Sequence, residues 1–303
     1  MVAKTAKIGC LGEVMLELIP SQTTAAQLGV AGDTYNTAAY LARERSGIEY
    51  ITVLGKDGFS DRILRHMASY NVGTSRVVTH PVAIPGLYAI ETNDEGERRF
   101  TYWRDQSAAR RLGDDDLPSI ERLLSGLTHL FYSGISLAIL SQENREKLFQ
   151  AIKAFRDDGG VVAFDSNYRP HLWNDPDLAR REMERAWRAC DIGLPSVDDE
   201  MNLFGDANPE AVLKRFAGYG LIQGALKRGE VGPIGLDGSV FEPSELPDQV
   251  IDTTAAGDSF NAAFLSAFID GKGTNAALQA GHTLAAHVIC HKGAIIFDGK
   301  EST

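Results

Sequence analysis

The chain is poor in cysteine. Three occur, Cys10, Cys190 and Cys290, widely spaced and with no CxxC pair. That excludes a disulfide framework or a zinc ribbon and points to a reduced, cytoplasmic setting. Runs of Lys or Arg are also missing, and the net charge is −11, so nucleic acid is not an expected partner. No apolar run approaches the ~18 residues of a membrane span. The apolar N-terminus is broken by Glu13 and Glu17, which does not fit a secretory signal. Familiar catalytic signatures are absent too: no GxxxxGK[ST] loop and no GxSxG elbow, which removes Walker-type ATPases and the common hydrolases. "GKGTNA" at 271–276 matches GxGxxA by letters, but it follows a helical segment rather than a strand, so a dinucleotide cradle is not supported. His282, His287 and His291 lie close in sequence without an acid to complete HExxH, and are expected to be packed or solvated rather than to hold a metal.

What is present is enough for a large core. The 303 residues are 44% hydrophobic, which suits one large α/β domain, with or without a small appendage, and excludes global disorder. Strands are expected at 7–12, 13–20, 50–55, 128–134, 160–167 and 191–196. Helices are expected at 35–47, 59–70, 141–157, 177–189, 208–217, 257–269 and 274–291. This β-then-α order predicts a mostly parallel sheet covered by helices. Residues 86–103 break the rhythm: "GLYAIET" and "RRFTYWR" flank "NDEGE", a hairpin signal with dense aromatic and β-branched residues. A small second sheet acting as a lid is expected there, and two consecutive strands are expected within 221–238.

In open α/β sheets ligands bind beyond the carboxyl ends of strands. Four polar clusters stand just after strands: "AGDTYN" (31–36), "DSNYRPHLW" (165–173), "KRGEVG" (227–232) and "DTTAAGD" (252–258). The last opens an apolar helix. Small residues there let a ligand approach backbone N–H groups that have no partner within the helix, where the helix dipole is positive. That makes an anion cradle. A fixed acid beside such a cradle, Asp258, suits a phosphoryl group in transit: the amides bind developing charge while Asp258 holds the attacking hydroxyl and takes its proton. The helix N-terminus is expected to favour the carboxylate and lower its pKa, which phosphoryl transfer tolerates because positioning and charge stabilisation dominate.

"DTTAAGDSF" resembles the second signature of the ribokinase-like (PfkB) carbohydrate kinases, DTxGAGDxF, and "GVAGDTYNTAAYLAR" (29–43) resembles their early sugar-binding segment. "DSNYRPHLW" and "HKGAII" (291–296) look more specifically like the branch that phosphorylates 2-keto-3-deoxygluconate. The resemblance spans nearly the whole chain. It implies a three-layer α/β/α ribokinase-like fold with a mostly parallel central sheet, and a β lid inserted from about 13–34 and 86–110. It also implies ATP and Mg²⁺, and frequent dimerisation, so a homo-oligomer is expected. Carried over, Asp258 is the general base and Ala255, Ala256 and Gly257 form the anion hole. Asp252 orders the loop or contacts substrate. Gly32, Asp33 and Asn36 bind sugar hydroxyls. Tyr88, Tyr102 and Arg104 reach in from the lid, Asn167 and Arg169 stand between substrate and nucleotide, and Lys227 through Gly232, including Gly229, line the ATP site. Two positions depart from the pattern. Ala255 stands where many relatives have glycine, so it must keep φ < 0 or be strained; and "KRGEVG" carries an unusual Arg228.

A sugar acid brings a carboxylate that needs a cationic partner when buried, and Arg104 and Arg169 are placed to supply one. The expected acceptor is therefore the acidic sugar. A neutral sugar such as fructose or ribose is the alternative, and a catalytically silent sugar-binding protein is a third reading that the intact Asp258 argues against.

Overall fold

A computed structural model describes residues 6–20, 25–92, 98–221, 223–241, 247 and 249–296. In chain order the elements are β1 (Ile8–Leu11), β2 (Met15–Pro20), β3 (Ala26–Ala31), α1 (Asp33–Glu44), β4 (Ile48–Leu54), α2 (Gly58–Ser69), β5 (Val77–Thr79), β6 (Leu87–Thr92), β7 (Arg98–Trp103), α3 (Ile120–Leu124), β8 (His129–Ser133), α4 (Gly134–Ile139), α5 (Gln142–Asp157), β9 (Val161–Asp165), α6 (Pro176–Ala189), β10 (Ile192–Leu194), α7 (Val197–Phe204), α8 (Pro209–Gly218), β11 (Ala225–Leu226), β12 (Ile234–Gly235), α9 (Ala256–Ile269) and α10 (Thr274–Val288).

Six strands form an all-parallel sheet in the order β10-β9-β8-β1-β4-β5. Every residue of β1, "IGCL", is buried, as a parallel strand covered by helices on both faces requires. Two apolar clusters fill the two faces. On one, Trp187 of α6 meets Phe164 of β9 edge-on at 4.5 Å and Phe216 of α8 at 4.9 Å between ring centroids; such edge-to-face pairs add about 0.5–1.5 kcal/mol beyond area burial. On the other, Tyr35, Tyr50 and Phe264 pack together with α1 and α9. The helices start where the chain supplies caps: Asp57 accepts from Phe59 N and Ser60 N, Ser141 from Asn144 N, and Asp175 from Asp177 N and Leu178 N. Each such cap stabilises its helix by about 1 kcal/mol.

A second, four-stranded sheet has the order β3-β2-β6-β7. Strands β2 and β3, and β6 and β7, pair antiparallel, while β2 and β6 run parallel. The "NDEGE" turn lies outside the described residues. Three expectations need adjustment. The first helix ends at Glu44, with Arg45 extended, rather than at Gly47. The two strands of 221–238 are only two residues each, separated by a 3₁₀ turn at Gly229–Val231. Residues "VDDEMNLF" form a helix, α7, where no helix was expected.

The strand order reverses direction at β1, with β4 and β5 on one side and β8, β9 and β10 on the other. Such a switch point leaves a crevice at the carboxyl ends. The residues that follow β1, β8, β9 and β10, namely Glu13, Ile135, Asn167 and Ser196, all line one cavity there.

Candidate active site

The cavity measures about 1320 Å³, and the small sheet contributes Met15, Tyr88, Phe100 and Tyr102 to its wall. At its base two helix N-termini converge, those of α1 and α9. Asp258, at the third position of α9, accepts from Asn36 Nδ2 at 2.8 Å. Its main-chain carbonyl accepts from Thr37 Oγ1 at 3.2 Å, which ties α9 to α1. Asp33 accepts from Asn167 Nδ2 at 2.9 Å and from Ser133 Oγ. Gly32 is required by close approach: a Cβ there would lie 2.3 Å from the Glu13 carbonyl oxygen.

The electrostatics reverse one expectation. The Asp258 pKa is pushed up to about 8, first by burial and then by the negative charge of Asp33, with the Asn36 hydrogen bond pulling the other way. Asp33 is also raised, chiefly by burial. The helix N-terminus stabilises a carboxylate by only about 0.3–1 kcal/mol at an exposed site. That does not offset removing the charge from water beside a like charge. Asp258 is thus a stronger base than an ordinary aspartate.

The turn before α9 departs in one way from the expected anion hole. The amide of Ala256 turns back to Thr253 O at 3.2 Å, so it is already spent. Among the described residues, the amides of Ala255, Gly257 and Asp258 have no protein partner, and all three residues line the cavity. Ala255 adopts the left-handed region, φ 60°, so the residue that replaces the usual glycine is strained, by roughly 1–2 kcal/mol. Asp252 is buried and does not line the cavity. It accepts from Thr254 N and Gly293 N, both at 2.9 Å, and so orders the loop. Gly232 also lies off the cavity, where its carbonyl accepts from Arg228 Nε at 2.9 Å.

The remaining expected residues do gather on the cavity: Gly32, Asp33, Asn36, Tyr88, Tyr102, Arg104, Asn167, Arg169, Lys227, Gly229 and the 255–258 turn. Their availability differs. The Tyr88 hydroxyl donates to Glu17. Arg104 is buried and its Nη2 donates to the buried carboxylate of Glu13, so its charge is already compensated. Arg169 is 45% exposed, 3.8 Å from Asp199, and freer to meet an anion. Four contributors escaped the sequence reading. Glu13 was seen only as an interruption of an apolar run. Asp198 and Asp199, at the start of α7, follow a strand as the other clusters do and could have been found by that rule. His282 is buried, lines the cavity from α10, and its Nε2 has no partner among the described residues; nothing in the sequence distinguished it from a packed histidine.

This site sits within a recognisable lineage. A model of the pfkB family of carbohydrate kinases matches residues 5–300. The chain is 39% identical to the 2-dehydro-3-deoxygluconokinase of Dickeya dadantii strain 3937, over 96% of this chain and 97% of that protein. It is also 39% identical to the protein of the same name from Escherichia coli K12, with the same coverage. The crystal structure of a PfkB protein from Polaromonas sp. JS666 superimposes with a TM-score of 0.83 at 27% identity, covering 94% of this chain and 96% of that one. With the signature turn at 252–260, the parallel sheet and the small covering sheet all in place, the chain belongs to the pfkB family of carbohydrate kinases.

Proposed function

We propose that the protein transfers the terminal phosphoryl group of ATP to the terminal hydroxyl of 2-keto-3-deoxygluconate, giving the 6-phosphate and ADP. The observation that carries this is the juxtaposition, in one cavity, of a raised-pKa carboxyl and unpartnered amides: Asp258 beside Ala255 and Gly257. Asp258 accepts the hydroxyl proton as the sugar oxygen bonds to phosphorus, and the bond to the ADP oxygen breaks. The amides receive the charge on the moving group. Gly32, Asp33 and Asn36 hold the sugar from α1, and the small sheet closes over it as a lid.

The cavity suits the nucleotide. Apart from its chain neighbours and helix backbone, a Cβ at Gly257 would meet only Lys227 Nζ within 4 Å among the described residues, so phosphates can approach the turn. The lone Nε2 of His282, with Ala285, Ala286 and Ile289 of the same helix on the wall, offers a polar atom and an apolar surface for the base. No group of three His, Cys, Asp or Glu among the described residues could hold a metal unaided. Mg²⁺ commonly binds through one or two carboxylates plus substrate phosphates, and Asp198 and Asp199 on the wall fit that need. The ion would neutralise phosphate charge.

The acid acceptor is supported by the two relatives at 39% identity and by Arg169 and Arg104 on the wall. One observation favours a neutral sugar instead: Glu13 already compensates Arg104. Following ADP release with 2-keto-3-deoxygluconate, fructose and ribose in parallel decides between them. Preference for a neutral sugar overturns the acid reading. Arg104→Gln should weaken the sugar acid at least ~10-fold more than a neutral analogue, the value of one charge-assisted hydrogen bond; equal losses remove the arginine from the argument.

A further inference from the structure

Behind the amide turn lies a closed triangle of side chains. Lys227 Nζ donates to Asp165 Oδ1 at 2.8 Å and to Asn261 Oδ1 at 3.1 Å, and Asn261 Nδ2 donates to Asp165 Oδ2 at 2.7 Å. Asp165 and Asn261 are buried. Lys227 and Asp165 line the cavity, whereas Asn261 does not. The base of the lysine stem is fixed by its own backbone: Lys227 N donates to Pro195 O at 2.8 Å, and Val197 N donates to Lys227 O at 2.9 Å.

An ammonium has three N–H donors. Two are taken inside the triangle, which leaves one. Lys227 Nζ stands 3.7 Å from where a Cβ of Gly257 would be, and apart from the glycine's chain neighbours and its own helix backbone no other atom of the described residues lies within 4 Å of that point. The third donor therefore shares the open side of the turn with the amides that have no partner. Asn261 sits one helical turn after Asp258 on α9, so one face of a single helix carries the base at the cavity and, a turn deeper and off the cavity, the amide that steers the lysine.

The geometry points to Asn261 as a positioning residue: with Asp165 it holds Lys227 so that the remaining N–H meets the terminal phosphoryl group of the nucleotide at the amide turn. This rests on the kinase reading above. An amide is the side chain that fits. It offers one donor to Asp165 and one acceptor to Lys227, whereas a carboxylate would set a second negative charge against Asp165, and an apolar residue would leave Asp165 Oδ2 buried without a donor. The arrangement distinguishes a triphosphate from a diphosphate, because only the former reaches the third N–H.

The test uses the full chain without sugar and measures Kd by calorimetry for ADP and for β,γ-imido ATP. Lys227→Gln should weaken the imido analogue by about tenfold and ADP by no more than about twofold. Asn261→Ala should shift the same ratio in the same direction, and the double variant should be no worse than Lys227→Gln alone, since the two act through one contact. In turnover, kcat should fall while the KM for sugar holds. If Asn261→Ala does not fold, Asn261→Ser takes its place in the cycle. Equal losses for both nucleotides, or additive losses, overturn the inference. Wild-type protein that binds neither nucleotide overturns the kinase reading with it, whereas wild-type binding left unchanged in the variants overturns the inference alone.

Discussion

Replacing Asp258 with Asn should disable the enzyme and stabilise its fold at the same time. A carboxyl whose folded pKa lies above its unfolded value binds its proton more tightly in the folded chain. Its burial is therefore harmless below the unfolded pKa, and stability is lost as pH rises from there to the folded value. The window here runs from 3.8 to about 8. At pH 7 about three units of that window have been crossed, and each unit is 1.36 kcal/mol, so the wild-type acid destabilises the ligand-free protein by roughly 4 kcal/mol. An asparagine keeps the shape, can still accept from Asn36 Nδ2, and carries no charge to desolvate. Urea unfolding of the ligand-free proteins at pH 7 should show the variant more stable by about that amount, and the gap should close as pH falls toward 4. Turnover should drop by about 10²–10⁴-fold, the usual contribution of a general base. A variant no more stable than wild type, or a gap independent of pH, would refute the claim that burial and Asp33 raise this carboxyl.

The same carboxyl should place the acidic limb of the kcat/KM profile near pH 8 instead of near 4, with activity rising as pH rises through it, because only the deprotonated form accepts a proton; a flat profile between pH 5 and 8 would count against it. Ala255→Gly relieves a positive φ and should raise thermal stability by an amount worth about 1 kcal/mol or less, since glycine also loosens the unfolded chain; calorimetry reads this directly. Gly32→Ala drives a Cβ against the Glu13 carbonyl and should destabilise by several kcal/mol, seen as a lowered urea midpoint. Glu13→Ala leaves the buried Arg104 uncompensated and should cost about 3–5 kcal/mol in the same assay.

The parts of the site that could be read in the sequence are those built from local chain. The turn before α9 announces itself by small residues, a glycine and an acid in succession, and the segment 31–36 by polar residues after a strand. The parallel sheet follows from apolar strands alternating with amphipathic helices. What stayed hidden depends on residues that only the fold brings together. Arg104 looked like an available cation because its partner, Glu13, sits on another strand's exit. Asp258 looked like a weak base because the helix dipole is a local feature, whereas the burial that chiefly reverses the shift is made by the fold, and Asp33, which adds to it, comes from the other end of the chain. Lys227 read as part of a loop, yet its orientation is set by Asp165 and Asn261 from two other elements. Ala255 was recognised as a choice between two backbone states, and only the structure shows that it takes the strained one.

With a folded pKa of about 8, Asp258 spends most of its time near neutrality carrying a hydrogen. If Asp258 is the base proposed above, an acid in that state would not activate a stray water, and the resting enzyme would be guarded against wasting its nucleotide between sugars. The guard weakens in alkali: ATP breakdown without any acceptor should climb as the medium passes pH 8, and a rate already at its plateau by pH 6 would show that no such protection exists.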